Sequence, residues 1–263
     1  MCRWIAYRGE RIPLERYVTA PSHSLVVQSL RALESTASTN GDGFGLGWYD
    51  EHEEPGLYRE VRPAWSDENL RHLCRHIRSH LFFAHVRATT GAPITRPNCH
   101  PFAHGRWMFM HNGQIGDWPL IRRRAEALIP DEFYTSRIGT TDSEAVFLAI
   151  LGAGAEHDPV SATARTLATL TDIVRSSGTR DPLRFTAALS DGRDLFAFRY
   201  AYESPANTLY YRAAGDNVLI VSEPLDTDRA HWKAVPPGHM IVARAGEPVS
   251  LEPLPVATPL AAE

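Results

Sequence analysis

The sequence predicts an α+β fold in which helices are layered on antiparallel sheets. Three observations carry this: strand-like runs fill the first third, helical periodicity fills the middle, and strand runs return after Pro182. No alternation of strand and helix, as in a βαβ unit, interrupts that order.

Taken in order, 4–7, 44–49 and 57–61 alternate as strands. A helix is expected from Asp67, capped by Ser66 or Asp67 and running through Leu70, Leu73 and Ile77. Short apolar runs at 81–86 and 107–111 read as buried strands. Helices are predicted over 120–128, 142–151 and 160–174, followed by strands at 185–189, 195–200, 209–212, 218–221 and 240–243. Turn signals at Ser190-Asp191-Gly192-Arg193 and Gly215-Asp216-Asn217 leave hairpin-length gaps between strands, so neighbours pair antiparallel. No linker or repeat divides the chain. One domain over 1–250 is expected, with a Pro- and Ala-rich tail over 251–263.

The 263 residues are 43% hydrophobic and 22% charged, which is enough to bury a core. No apolar run approaches the roughly 18 residues of a membrane span, and the charged Arg3 leaves no room for a signal peptide. Three cysteines give no disulfide framework and fit a reducing, cytoplasmic address. A net charge of −4 with interspersed signs offers no field for nucleic acid. No cofactor is called for; a homo-oligomer and an unidentified partner protein remain open.

The chemistry starts at Cys2. Methionine before a small residue is ordinarily removed, which would leave one residue carrying both a thiol and an α-amine with a pKa of about 7.7–8.0. In Met110-His111-Asn112-Gly113, expected at a strand end, Asn112 and Gly113 are the donors needed to hold the oxyanion formed when a thiolate attacks an amide. Asn-Gly is equally a hairpin turn signal. His111 reads as a buried, hydrogen-bonded support. Arg87, followed by Thr89 and Gly91, suits a bidentate pair with a substrate carboxylate; a structural salt bridge is the plainer reading. Thr141 and Glu144 fit a capping box, and Asp142 between them suits a substrate ammonium group.

These stretches together resemble the class II glutamine amidotransferases, which are Ntn hydrolases. The likeness rests on Met1-Cys2-Arg3, Asn40-Gly41-Asp42-Gly43-Phe44-Gly45, His85-Val86-Arg87, Asn98-Cys99-His100-Pro101-Phe102, His111-Asn112-Gly113 and Thr141-Asp142-Ser143-Glu144, in family order and spacing. Pro63-Ala64-Trp65 and Ser222-Glu223-Pro224-Leu225 bring the chain nearer the stand-alone YafJ-like subgroup, close to the fungal γ-glutamyl hydrolases of glutathione breakdown. The amidohydrolase of ergothioneine synthesis is a further relative. The resemblance implies a four-layer αββα sandwich of two antiparallel sheets and Cys2 as nucleophile. It also implies Asn112 and Gly113 as the oxyanion hole, and Arg87, Asp142 and Thr89 around a small γ-glutamyl substrate. Asn40, Gly41, His85 and His111 would support them. The larger family members carry Arg-Gly at Asn40-Gly41 and a Trp after Arg87. A glutaminase subunit feeding ammonia to a separate synthetase is an alternative.

From another class, His72, His76 and His80 fall at i, i+4 and i+8 of the expected helix and could hold a metal, with Cys74, Cys99 and His100 as further ligands. The arginines sharing that stretch favour a solvated face, and no metal is assigned. Gly41, Gly43, Gly45 and Gly47 do not match the dinucleotide fingerprint and run into a strand rather than a helix.

Overall fold

The computed structural model describes residues 2–34, 39–89 and 91–256. Expectations placed on Met1, Thr90 and 257–263 lie outside the described residues. In chain order the strands are β1 (Arg3–Pro13), β2 (Phe44–Tyr49), β3 (Gly56–Glu60), β4 (Arg78–Val86), β5 (Phe102–His104), β6 (Trp107–Ile115), β7 (Leu183–Ser190), β8 (Leu195–Tyr202), β9 (Tyr210–Ala214), β10 (Asn217–Val221), β11 (Lys233–Ala234), β12 (His239–Ala243) and β13 (Ser250–Pro253). The helices are α1 (Glu15–Val18), α2 (Leu25–Leu30), α3 (Glu68–His76), α4 (Trp118–Glu126), α5 (Asp131–Tyr134), α6 (Asp142–Gly152) and α7 (Pro159–Ser177).

Two sheets result, in the orders β11-β9-β10-β1-β4-β2-β3 and β13-β12-β8-β7-β6-β5. Every strand pairing in them is antiparallel. Because successive strand residues face opposite sides, each inner strand feeds two interfaces. Trp4 and Ala6 of β1 and Leu81 and Phe83 of β4 pack with Met108 and Met110 of β6, Ala188 of β7 and Ala197 of β8 between the sheets. Their neighbours Ile5, Tyr7, Phe82 and Ala84 turn outward to the α1–α3 layer. Phe109, Ala187, Phe196 and Phe198 turn the other way, onto α4, α6 and α7. Three apolar interfaces thus separate four layers, helix–sheet–sheet–helix, as expected.

Local chemistry sets the helix limits. The Asp67 side chain accepts from the Leu70 N–H at 2.9 Å and starts α3. Pro159 stands in the first turn of α7 behind the Asp158 cap, and Gly178, at φ +70°, ends it.

Two expectations need correction. The strand placed at 107–111 continues to Ile115, with Asn112 opposite Thr186 and Gly113 opposite Phe185, so Asn112-Gly113 is strand rather than turn. Sheet pairing along eight residues of β7 outweighs the local turn preference of the dipeptide. Helix α3 ends at His76; His80 lies on β4 with Nε2 3.1 Å from the Gly192 carbonyl oxygen, so His72, His76 and His80 share no helix face. Among the described residues no group of three or more His, Cys, Asp or Glu could hold a metal ion. Residues 250–253, where the tail is expected to begin as an ordered strap or a loose end, form β13 against β12. Among the described residues no helix is long and apolar enough to cross a membrane.

Candidate active site

Cys2 stands immediately before β1, the strand at the centre of its sheet between β4 and β10. Register places Arg3 opposite Val86, which brings the residues that follow β4 to the thiol. Ala88 meets Cys2 Sγ twice: its N–H donates at 3.4 Å, and the thiol reaches its carbonyl oxygen at 3.5 Å. Burial pushes the thiol pKa above its ordinary value, opposed by the Ala88 contact and by the positive charges of Arg87 and Arg3.

The other sheet supplies the facing wall. Along β6 the Gly116 N–H donates to Pro182 beside β7, whereas the Ile115 N–H turns the opposite way, to Asp142 Oδ2 at 3.0 Å. The period of two places the Gly113 N–H on the same edge as that of Ile115, where β5 no longer pairs. The Asn112 side chain lies on the inter-sheet face; the Asn112 backbone carbonyl accepts from Asn207 Nδ2 at 3.0 Å, while the side-chain Nδ2 is buried and has no partner. A buried donor left unpaired is costly and needs an explanation. Gly113 is required sterically: a Cβ there would stand 1.9 Å from the Arg184 carbonyl oxygen and 2.2 Å from His111 Nε2.

Arg87 is buried. Its Nη2 donates to Thr89 Oγ1 at 3.1 Å and to the Ala92 carbonyl at 3.4 Å, and Nη1 has no partner. Thr89 is fixed in turn by Asp42, whose Oδ2 accepts its N–H at 2.8 Å. Asp142 opens α6, which Thr141 caps by accepting from the Glu144 N–H at 3.2 Å. The Glu144 carboxylate reaches back to the Ile138 and Gly139 N–H groups rather than to Thr141. Asn98 ties the two ends of the site together: Nδ2 donates to Pro93 and Thr140 Oγ1, and Oδ1 accepts from the Thr140 N–H.

His111 is buried as expected. Nε2 lies 3.2 Å from the Arg184 carbonyl oxygen, an acceptor only, so it carries the proton; Nδ1 then accepts from Ser143 Oγ at 2.9 Å. Burial lowers its pKa against the opposing charge of Asp142. The His85 and His100 rings lie tilted by 31° with centroids 4.2 Å apart. Burial, joined by the charge of Arg87, holds His85 at about 3, and burial with the neighbouring His85 holds His100 well below the usual range. Both are neutral.

Cys2, Arg87, Thr89, Asn112, Gly113 and Asp142 all line one cavity of about 300 Å³, with His100, His111, Gln114, Ser143, Arg184 and Asn207. Asn40, Gly41 and His85 stand behind it: the Asn40 N–H donates to Ser29, and a Cβ on Gly41 would come within 2.7 Å of the Trp65 ring. A larger open groove of about 510 Å³ along α4 and α5, lined by Arg122, Arg123 and Glu126, contains no nucleophile.

Sequence reasoning missed what anchors Cys2. Arg3 donates through Nε to Glu223 at 3.0 Å and through Nη1 to the Cys2 carbonyl at 3.0 Å. Glu223 also takes His23 and the N–H groups of Leu33 and Glu34. Its signal was the Ser222-to-Leu225 stretch, noted only as a likeness. Asn207, Gln114 and Arg184 carry no motif at all.

A cysteine at the head of a central strand, two antiparallel sheets and flanking helices define an Ntn-hydrolase sandwich. The family model "Glutamine amidotransferases class-II" matches residues 17–214, and the chain belongs to that family, whose members are amidohydrolases. It is 29% identical to the probable glutamine amidotransferase DUG3 of Saccharomyces cerevisiae, over 93% of this chain and 82% of that one. It is also 29% identical to the gamma-glutamyl-hercynylcysteine sulfoxide hydrolase of Mycobacterium tuberculosis, over 92% of each chain. Among solved structures, a glutamine aminotransferase class-II domain protein from Silicibacter pomeroyi is 41% identical, with a TM-score of 0.76 over 96% of this chain and 99% of that one. The glutamine phosphoribosylpyrophosphate amidotransferase of B. subtilis, 15% identical with a TM-score of 0.67 over 97% of this chain and 50% of that one, shares the fold.

Proposed function

We propose that this amidohydrolase cleaves the γ-amide of γ-glutamyl compounds with Cys2 as an N-terminal nucleophile. The observation that carries the reading is the buried, unpartnered Nδ2 of Asn112, a residue that lines the same cavity as Cys2, Arg87 and Asp142.

Once Met1 is removed, the Cys2 α-amine takes the thiol proton and the sulfur attacks the γ-carbonyl carbon. Asn112 Nδ2 and the Gly113 N–H hold the oxyanion. Collapse expels the amine, which takes the proton from the α-ammonium, and leaves a γ-glutamyl thioester. Water then attacks the thioester, giving its proton to the α-amine, and releases glutamate and the thiol. Arg87 Nη1 receives the substrate α-carboxylate and Asp142 its α-ammonium. The names of the yeast and mycobacterial relatives, a glutamine amidotransferase and a γ-glutamyl hydrolase, support the substrate class.

The test is glutamate release from glutamine, glutathione and γ-glutamyl anilide, with mass spectrometry of the chain start. Cys2→Ala should release none while still binding substrate. Normal turnover by that variant, or full activity on chains retaining Met1, would overturn the assignment.

A further inference from the structure

The cavity has a second cation that the γ-glutamyl head leaves unused. Arg184 lies on β7 opposite Gln114 of β6, one residue beyond Gly113, and its side chain falls on the same face as Asn112 and Thr186. It lines the cavity, remains partly exposed, and donates through Nη2 to Gln114 Oε1 at 3.4 Å. Among the described residues no carboxylate pairs with it. The Asp181 carboxylate accepts instead from Gln114 Nε2 at 3.4 Å. Arg87, by contrast, is buried and precedes Ala88, which touches the thiol.

The charges lining the cavity are therefore Arg87 and Arg184 against Asp142, with His100 and His111 neutral, a surplus of one positive charge. A zwitterionic glutamyl head satisfies Arg87 and Asp142 and leaves that surplus. Glutamine, with no further charge, does not balance it. A ligand with one more carboxylate does.

Building on the γ-glutamyl reading, we propose that Arg184 is a specificity-determining residue that binds a carboxylate on the leaving group, so that the preferred substrates are γ-glutamyl amino acids or peptides rather than glutamine. The leaving amine then departs past Gln114 and Arg184 at the partly exposed mouth, while the head stays between Arg87 and Asp142.

The experiment compares kcat/KM for γ-glutamylglycine and γ-glutamylglycinamide, which differ only in that carboxylate, with γ-glutamyl anilide alongside. The wild type should favour the free acid roughly tenfold, as expected for one charge-assisted hydrogen bond. Arg184→Gln should bring the ratio close to one, and Arg184→Lys should retain part of it. Equal rates for acid and amide in the wild type, a ratio that survives Arg184→Gln, or an equal loss on all three substrates would overturn the proposal. The wild-type comparison decides the matter even if the variants fold poorly. If none of the substrates releases glutamate, it is the γ-glutamyl reading itself that falls.

Discussion

Arg3 and Glu223, 220 positions apart, meet at 3.0 Å as a fully buried ion pair, and the same guanidinium holds the Cys2 carbonyl. Removing one member of such a pair strands the other charge, which typically costs about 3–5 kcal/mol. Glu223→Gln should therefore lower the unfolding free energy and also lower kcat per folded molecule, because Cys2 loses its grip. Denaturant titration with active-site counting separates the two; destabilisation without loss of kcat would limit Glu223 to a structural role.

Glu223 also sets an acid limit. Burial alone would raise its pKa, but His23, the Leu33 and Glu34 N–H groups and Arg3 hold it at about 2, against an ordinary 4.5. A depressed carboxylate contributes stability above its unfolded pKa and loses it as pH falls towards the folded one. About 3 kcal/mol should thus disappear between pH 4.5 and 2, and Glu223→Gln should flatten that part of the stability curve.

His85 acts at milder pH. Its folded pKa of about 3 lies below the ordinary 6.5, so the unfolded chain takes up the proton first. Its contribution is complete above 6.5 and declines as pH falls towards 3, by about 2 kcal/mol at pH 5. Unfolding midpoints at pH 7.5 and 5 should differ less in His85→Phe than in the wild type.

Asn112→Ala removes a donor whose Nδ2 has no partner in the folded chain. The expected result is a fall in kcat of roughly 10²- to 10³-fold with little change in thermal midpoint. A large loss of stability at unchanged turnover would contradict the oxyanion role.

Gly113→Ala should differ from Asn112→Ala in also costing stability. Its methyl would meet the Arg184 carbonyl at 1.9 Å, so β6 and β7 must part. Overpacking of this kind costs about 1–3 kcal/mol, and both the midpoint and activity should drop.

The layering was legible because it rests on local pattern: α7 buries one helical face, and the continuous apolar runs of α6, β4 and β7 are buried on all sides. α1 and α2, four and six residues long, are too short for a helical period to show. Asn112-Gly113 misled because a dipeptide's turn preference is local, whereas its partners Thr186 and Phe185 lie more than seventy residues away. Cys2, Arg87 and Asp142 were visible through the chemistry of their residue types. Glu223 and Arg184 were not, because a lone acid or arginine acquires meaning only from what folding sets opposite it.

The start of the chain is seated by strand β10 and by Glu223, both encoded near its other end. During synthesis β4 and Ala88, which meets the sulfur, emerge long before β10 and Glu223, so the thiol contact can form while the Cys2 carbonyl still lacks the Arg3–Glu223 pair behind it. On the Cys2 reading proposed above, the last anchor of the hydrolytic residue is consequently a late event in the life of the nascent polypeptide.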